Sequence, residues 1–217
     1  MKKFSESSQY SLSEDEIRRI INATEDLRDK LIIELLAFTG CRRGELVLLR
    51  VSDIDLERNR INIPTLKQEK GISGKQVESL ARKNAKIIPI ISEELRNNLK
   101  IYLKEKKAVL TPTSYLIQGR QGNGSRRPIS KQRINQIVAE CAIRAGVKSP
   151  NPKRKNVHPH LFRHTLVRYC QKCGINPKLI QKLLRHSSIK TTLDMYGEPS
   201  FDDMKDGLEK MQGFAKG

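Results

Sequence analysis

The segment Thr39-Gly40-Cys41-Arg42-Arg43-Gly44-Glu45-Leu46 joins two helices of unlike character. Before it, Leu27, Leu31, Ile32, Leu35 and Leu36 recur at helical spacing and predict a strongly apolar helix from Glu25 to Phe38. Thr39-Gly40 ends that helix, and a short one is expected from Arg43 to Leu49. Taken alone, the Arg42-Arg43 pair reads equally well as a charged turn. Its meaning depends on what lies on either side.

On the N-terminal side, Ser13-Glu14-Asp15-Glu16 is a capping box that opens a helix running to about Ala23. On the C-terminal side, Ile54 to Ile63 alternates around Glu57-Arg58-Asn59 and reads as a β-hairpin. Ile87-Ile88-Pro89-Ile90 reads as a further strand. The lysine-rich stretch from Lys67 to Lys86 is expected to be a long exposed turn. Ser92 caps a helix from Glu93 to Lys106, Gly119 to Pro128 is a loop, and Lys131 to Ala145 is helical. A basic, proline-broken segment, Val147 to Pro159, leads into helices at His160 to Cys173, Pro177 to Leu184 and Ile189 to Tyr196. Ser200 can cap a last helix with Phe201, Met204, Leu208 and Met211 on one stripe. The fold class expected is mainly α with a small antiparallel β-sheet (α+β).

The chain has 217 residues, with 42 Lys+Arg against 24 Asp+Glu and a formal net charge of +18. Such an excess favours a polyanionic partner. Mean hydropathy is −0.56, no stretch has the length of a membrane span, and no basic amphipathic anchor is visible. MKKFSESSQY has no apolar run behind its lysines and so does not read as a secretory signal; the expected location is the cytoplasm, on the nucleoid. Aromatics are only 5% and Trp is absent, which disfavours a single-strand binder built on stacked bases. Duplex DNA held by its phosphates is the better partner.

The four cysteines do not suggest a disulfide framework in that compartment. Cys170-x-x-Cys173 and His160-x-x-x-His164 each have the spacing of half a zinc site, but the order and the crowding are wrong for a finger. The cysteines read as small residues packed on a helix.

Four segments carry a more specific signal. Thr39 to Leu46 is similar to the first arginine box of the tyrosine recombinases, the phage integrase family. His160-Leu161-Phe162-Arg163-His164 resembles their H-x-x-R box. Leu183-Leu184-Arg185-His186-Ser187-Ser188-Ile189-Lys190-Thr191-Thr192-Leu193-Asp194-Met195-Tyr196 resembles their histidine and tyrosine box. The strand ending Ile63-Pro64-Thr65-Leu66-Lys67 resembles the hairpin that carries their lysine. The order agrees, and the resemblance spans residues 10 to 200.

That resemblance implies the catalytic-domain fold of the family and a catalytic set of Arg42, Lys67, His160, Arg163, His186 and Tyr196, braced by Glu45. It implies a domain over residues 13–200, with a tail over 1–12 and a C-terminal helix over 201–217 packing in cis or in trans. It implies a site-specific recombinase that cuts and rejoins duplex DNA through a 3′-phosphotyrosyl bond. The expected assembly is a homotetramer on DNA and a monomer in solution. Lys70, Lys83 and Lys86 are alternatives for the lysine. The family usually carries a glycine where this chain has Arg185, which bears on local packing. It usually carries a clamping domain ahead of the catalytic one, so the chain reads either as a piece of a longer recombinase or as a compact one.

The residue types fit the chemistry. Transesterification builds negative charge on two non-bridging oxygens, which two guanidiniums can hold by bidentate bonds. A tyrosine can attack phosphorus and store the bond energy for rejoining. A lysine can protonate the leaving 5′-oxygen, and histidines titrate where they can move or hold a proton. No metal or cofactor is called for, because the arginines neutralise the charge. Arg43, Lys153, Arg154, Lys155, Arg126 and Arg127 are expected to meet DNA phosphates. The alternatives are a non-catalytic duplex-DNA-binding protein of the same fold and a type IB topoisomerase-like enzyme.

Overall fold

The computed structural model describes residues 10–66, 75–119 and 127–185. The expected elements at Ile189–Tyr196 and beyond, and most of the 1–12 tail, lie outside the described residues. Three helices come first: α1 (Glu14–Asn22), α2 (Leu27–Thr39) and α3 (Arg43–Leu48). Strands β1 (Ile54–Asp55) and β2 (Arg60–Ile63) follow, then α4 (Lys75–Lys83), β3 (Lys86–Pro89) and α5 (Glu93–Glu105). The last three described elements are α6 (Lys131–Arg144), α7 (Pro159–Lys172) and α8 (Pro177–Leu184).

Local chemistry sets most of these boundaries. The Ser13 side chain accepts from the Glu16 N–H at 3.1 Å while the Glu16 carboxylate accepts from the Ser13 N–H at 2.7 Å. These reciprocal bonds satisfy two otherwise orphaned donors of α1. Asp26 caps α2 through the Asp29 N–H, and Ser92 caps α5 through the Leu95 N–H. Losing such a cap costs a helix about 1 kcal/mol. Pro159 and Pro177 stand at the first positions of α7 and α8, where a missing N–H does no harm.

Beyond its charged first turn, and Glu34 apart, helix α2 is apolar on every side and lies in the interior. Leu31, Ile32, Ile33, Leu35 and Leu36 have no exposed surface, and the helix packs against α1, α3, α5, α6 and α7. It is the post on which these five helices lean. The sheet is antiparallel in the order β1-β2-β3. Ile61 sits opposite Ile54 on one side and Ile88 on the other, so one face joins the core. Asn62 and Ile87 face the other way, as the two-residue strand period requires.

The expected long turn between the strands needs correction. Lys75–Lys83 is a helix, α4, not part of an exposed turn. Only Ala81 of this helix is buried, so hydrophobic burial gives it little anchorage. Distant polar groups hold it instead. Arg82 donates to the Leu48 carbonyl at 2.6 Å and pairs with Asp53 at 3.3 Å. Glu78 accepts from Arg50 at 2.8 Å and from the Tyr115 hydroxyl at 2.8 Å. The cysteine expectation holds for Cys170, which is buried, but Cys173 at the end of α7 is exposed.

Two helix ends shape the site that follows. α2 ends at Gly40, whose φ of +57° is left-handed. A Cβ there would also stand 2.9 Å from both Leu166 Cδ2 and Leu184 Cδ2, so this joint needs glycine for space as well as for conformation. α8 ends at Arg185, also left-handed at φ 57° and ψ 38°. In a non-glycine residue that conformation costs roughly 1–2 kcal/mol.

Candidate active site

Arg42 is the N-cap residue of α3, and Glu45 is its third helical residue. The Glu45 carboxylate reaches back to its own helix start. Oε2 accepts from the Arg42 backbone N–H at 2.9 Å, and Oε1 accepts from the Arg42 guanidinium at 2.9 Å. Glu45 has no exposed surface. Burial alone would raise its carboxyl, but Arg185, both bonds from Arg42, and Arg163 outweigh that and hold it below the usual carboxylate range.

Arg163 comes from α7 and is buried. It donates to the Gly40 carbonyl at the end of α2 and to the Leu184 carbonyl at the end of α8. Both carbonyls lie at helix C-termini, where the helix dipole favours a cation. Burial, then Arg42 and Arg185, push its guanidinium down to about 9, so it stays charged at neutral pH. Gly40 thus links α2 to both arginine boxes.

His160 lies three residues before Arg163, hence on the same face of α7. It is exposed by area. Desolvation, followed by Arg163, Arg42, Arg43 and Arg154, lowers its pKa and favours the neutral imidazole. His158 and His164 are each pushed down to about 4, by desolvation first and by basic neighbours, Arg154 on His158 and Arg163 and Arg168 on His164. His164 Nδ1 is buried without a hydrogen-bond partner among the described residues. Arg42, Glu45, His160 and Arg163 are therefore brought together by α3 and α7.

The basic residues fall in different places. Lys153, Arg154 and Lys155 are exposed, and Arg154 lies close enough to His158 and His160 to act on both. Arg127 is exposed. Arg43 is half-buried and donates to Asn135 Oδ1 on α6 at 2.9 Å. Lys83 and Lys86 are exposed at the end of α4 and the start of β3, with Lys86 paired to Ile63 in the ladder. Lys67, Lys70, Arg126, His186 and Tyr196 lie outside the described residues.

Three residues near the site had no role in the sequence reading. Arg185 pairs with Glu45 at 3.0 Å and has a fully buried side chain; the sequence marked it only as a packing change, standing where the family usually has glycine. His158 forms the N-cap of α7, two residues before His160. Lys131 lies against Gly44, where a Cβ would stand 3.4 Å from its Cε and 3.8 Å from its Nζ. Nothing near Lys131 in sequence signals that approach. Among the described residues, no group of three or more His, Cys, Asp or Glu could hold a metal ion, and no helix is long and apolar enough to cross a membrane.

Comparison with known proteins agrees with this geometry. The chain is 28% identical over 200 residues to the tyrosine recombinase XerA of Pyrococcus horikoshii, covering 92% of this chain and 60% of that protein. It is 31% identical over 201 residues to a tyrosine recombinase of Thermosipho africanus, covering 89% and 60% respectively. The chain thus spans about three fifths of the length of these relatives. Among solved structures, the XerA recombinase matches with a TM-score of 0.68 at 28% identity, over 92% of this chain and 62% of that one. The Tn1549 transposon integrase in complex with transposon right end DNA shares the fold with a TM-score of 0.70 at 22% identity, over 93% and 66%. The fold is that of a tyrosine recombinase catalytic domain. The sequence profile of the phage integrase family matches residues 10–202, and the chain belongs to that family.

Proposed function

We propose that residues 13–200 form the catalytic domain of a site-specific DNA recombinase that works through a 3′-phosphotyrosyl intermediate. The observation that carries this reading is the meeting of Arg42, the N-cap of α3, and Arg163, from α7, about the buried Glu45 and the Gly40 carbonyl, with His160 beside them. A phosphodiester carries one negative charge and gains another as the nucleophile adds. Two arginines that stay protonated in a partly dry site can stabilise that gain.

In this mechanism the Tyr196 hydroxyl attacks the scissile phosphorus and gives its proton to a histidine, His160 or His186. The Tyr196 Oη–P bond forms as the P–O5′ bond breaks. Lys67 delivers a proton to the departing 5′-oxygen. Attack by a 5′-hydroxyl from a partner duplex reverses the step and frees the tyrosine. Lys153, Arg154, Lys155, Arg43, Arg126 and Arg127 contribute phosphate contacts. The exposure of Lys153 to Lys155 and the nearness of Arg154 to His160 support part of that set. On DNA the working unit is a homotetramer, with 201–217 packing in cis or in trans. The same reading places the protein in the cytoplasm, on the nucleoid.

The test is a detergent-resistant adduct assay on nicked duplex fragments drawn from the DNA around the protein's own gene. Wild type is expected to leave a covalent band that survives chelator. Tyr196→Phe should abolish it while changing duplex affinity by less than about twofold, because the phosphate contacts remain. A band that persists in Tyr196→Phe overturns the assignment. Salt-sensitive binding with no band points to a non-catalytic duplex binder. Relaxation of supercoils without sequence preference points to a topoisomerase.

A further inference from the structure

Arg185 is the left-handed end residue of α8, yet its side chain has no exposed surface and reaches into the arginine cluster. One Nη donates to Glu45 Oε2 at 3.0 Å, the oxygen that also accepts the Arg42 backbone N–H. That same nitrogen lies 3.3 Å from the Gly40 carbonyl, which also receives Arg163. The other Nη donates to the Leu183 carbonyl at 2.7 Å and approaches the Thr39 carbonyl at 3.4 Å. Its Nε is buried with no partner among the described residues. One side chain therefore touches a partner of Arg42 and a partner of Arg163 at once.

The backbone does not need an arginine here. The capping bonds of Arg185 run from its own N–H to the Gln181 and Lys182 carbonyls, and a glycine could make both without strain. A strained conformation persists where the surroundings over-determine it. Here what holds it is the side chain. Charge points the same way. Glu45 sits among Arg42, Arg163 and Arg185, so one carboxylate faces three guanidiniums. Two positive charges remain uncompensated, which matches the two negative charges of a phosphodiester under attack.

We infer that Arg185 is a positioning residue of this site, clamping Glu45 and the Gly40 carbonyl so that Arg42 and Arg163 hold one phosphate together. The inference rests on the recombinase reading above. Arg185 acts through its neighbours, because its buried side chain offers no surface to DNA.

The experiment uses the full chain with Arg185→Gly, Arg185→Lys, Glu45→Gln and the Arg185→Gly/Glu45→Gln double variant. Three quantities are read: the rate of Tyr196-dependent adduct formation at saturating protein, duplex affinity at fixed salt, and affinity for inorganic phosphate by titration. Glycine suits the left-handed backbone and keeps the cap, so Arg185→Gly should fold. It is expected to slow adduct formation about 10- to 100-fold, the scale on which small misplacement of catalytic groups acts. Duplex affinity should move by less than about threefold, since the phosphate contacts outside the arginine pair remain. Phosphate affinity should fall about 3- to 10-fold as the arginine pair loosens. Arg185→Lys should recover part of the rate. In the Glu45→Gln background the glycine change should cost less than about threefold, because two residues acting through one another are not additive.

An unchanged rate in Arg185→Gly overturns the inference. So does a loss that tracks the thermal midpoint, is not recovered by lysine and is equally large in the Glu45→Gln background. If the Glu45→Gln chain does not fold, lysine recovery and the split between rate and duplex affinity decide. If wild type forms no adduct but Arg185→Gly still weakens phosphate binding, the recombinase reading fails and the positioning role stands. A wild type that neither forms an adduct nor binds phosphate removes both.

Discussion

Glu34 on α2 and Glu45 on α3 both lose all solvent exposure, yet folding drives their carboxyls in opposite directions. Glu34 has one donor, the Asn98 side-chain amide at 2.8 Å on Oε1, and its Oε2 has no partner among the described residues. Burial raises it to about 7. Glu45 has a backbone N–H and two guanidiniums, and it is held low. Burial penalises the charge in both cases. The number and charge of the donors decide whether that penalty is met. A buried carboxylate marks a site only when cations surround it; the other kind is a core residue that folds most easily protonated.

Glu45→Gln should have the largest effect. It removes the counter-charge from three guanidiniums and should destabilise the chain by about 3–5 kcal/mol, the usual scale for breaking a buried ion pair. Urea denaturation at pH 7 measures this. A change under about 1 kcal/mol would mean the arginines do not depend on Glu45, and the contrast with Glu34 would collapse.

Glu34→Gln should move the other way and depend on pH. The folded carboxyl titrates near 7 against a starting value of 4.5. Its contribution is complete below 4.5 and is lost as pH rises through 7. The glutamine variant should therefore match wild type near pH 5 and be about 1–3 kcal/mol more stable at pH 8. His158 and His164, both lowered to about 4, act with the opposite sign: their contribution is complete above 6.5 and is lost as pH falls through 4. They are present in both proteins and cancel in the difference. Equal stability at pH 5 and pH 8 would show that Glu34 finds enough partners to carry its charge.

Asn98→Ala should have the smallest effect, about 1 kcal/mol at pH 8 and less at pH 5, where a protonated Glu34 needs its donor less. The midpoint of the Glu34 contribution should shift upward. A downward shift in the pH–stability curve would mean that Asn98 is not what keeps the charge tolerable.

Much of the helical framework could be read locally. The capping box at Ser13, the Thr39-Gly40 stop, Ser92 and Pro177 each mark a boundary that lies within a residue or two of where the structure has it. Glu45 entered only through the family resemblance, as a brace of the site; that it pairs with Arg42 was not read from the sequence. Helix α4 was not legible. Its anchors are Leu48, Asp53, Arg50 and Tyr115, none of which signals a helix at Lys75–Lys83. Arg185 escaped for the same reason. Against the glycine the family usually has there it looked like a packing change, and its partner Glu45 lies 140 residues earlier.

The sequence by itself determined where the capped helices begin and end, α4 apart, the +18 charge that calls for a polyanion, and which guanidiniums and imidazoles are available. Those properties depend on side-chain chemistry and on bonds spanning a few residues. Only the tertiary structure decided that Arg42 and Arg185 share one carboxylate, that Arg163 and Arg185 meet on the Gly40 carbonyl, and that Glu34 has a single donor among the described residues. A hydrogen bond acts over about 3 Å, so donors far apart in the chain find a common acceptor only when α2, α3, α7 and α8 close around one point.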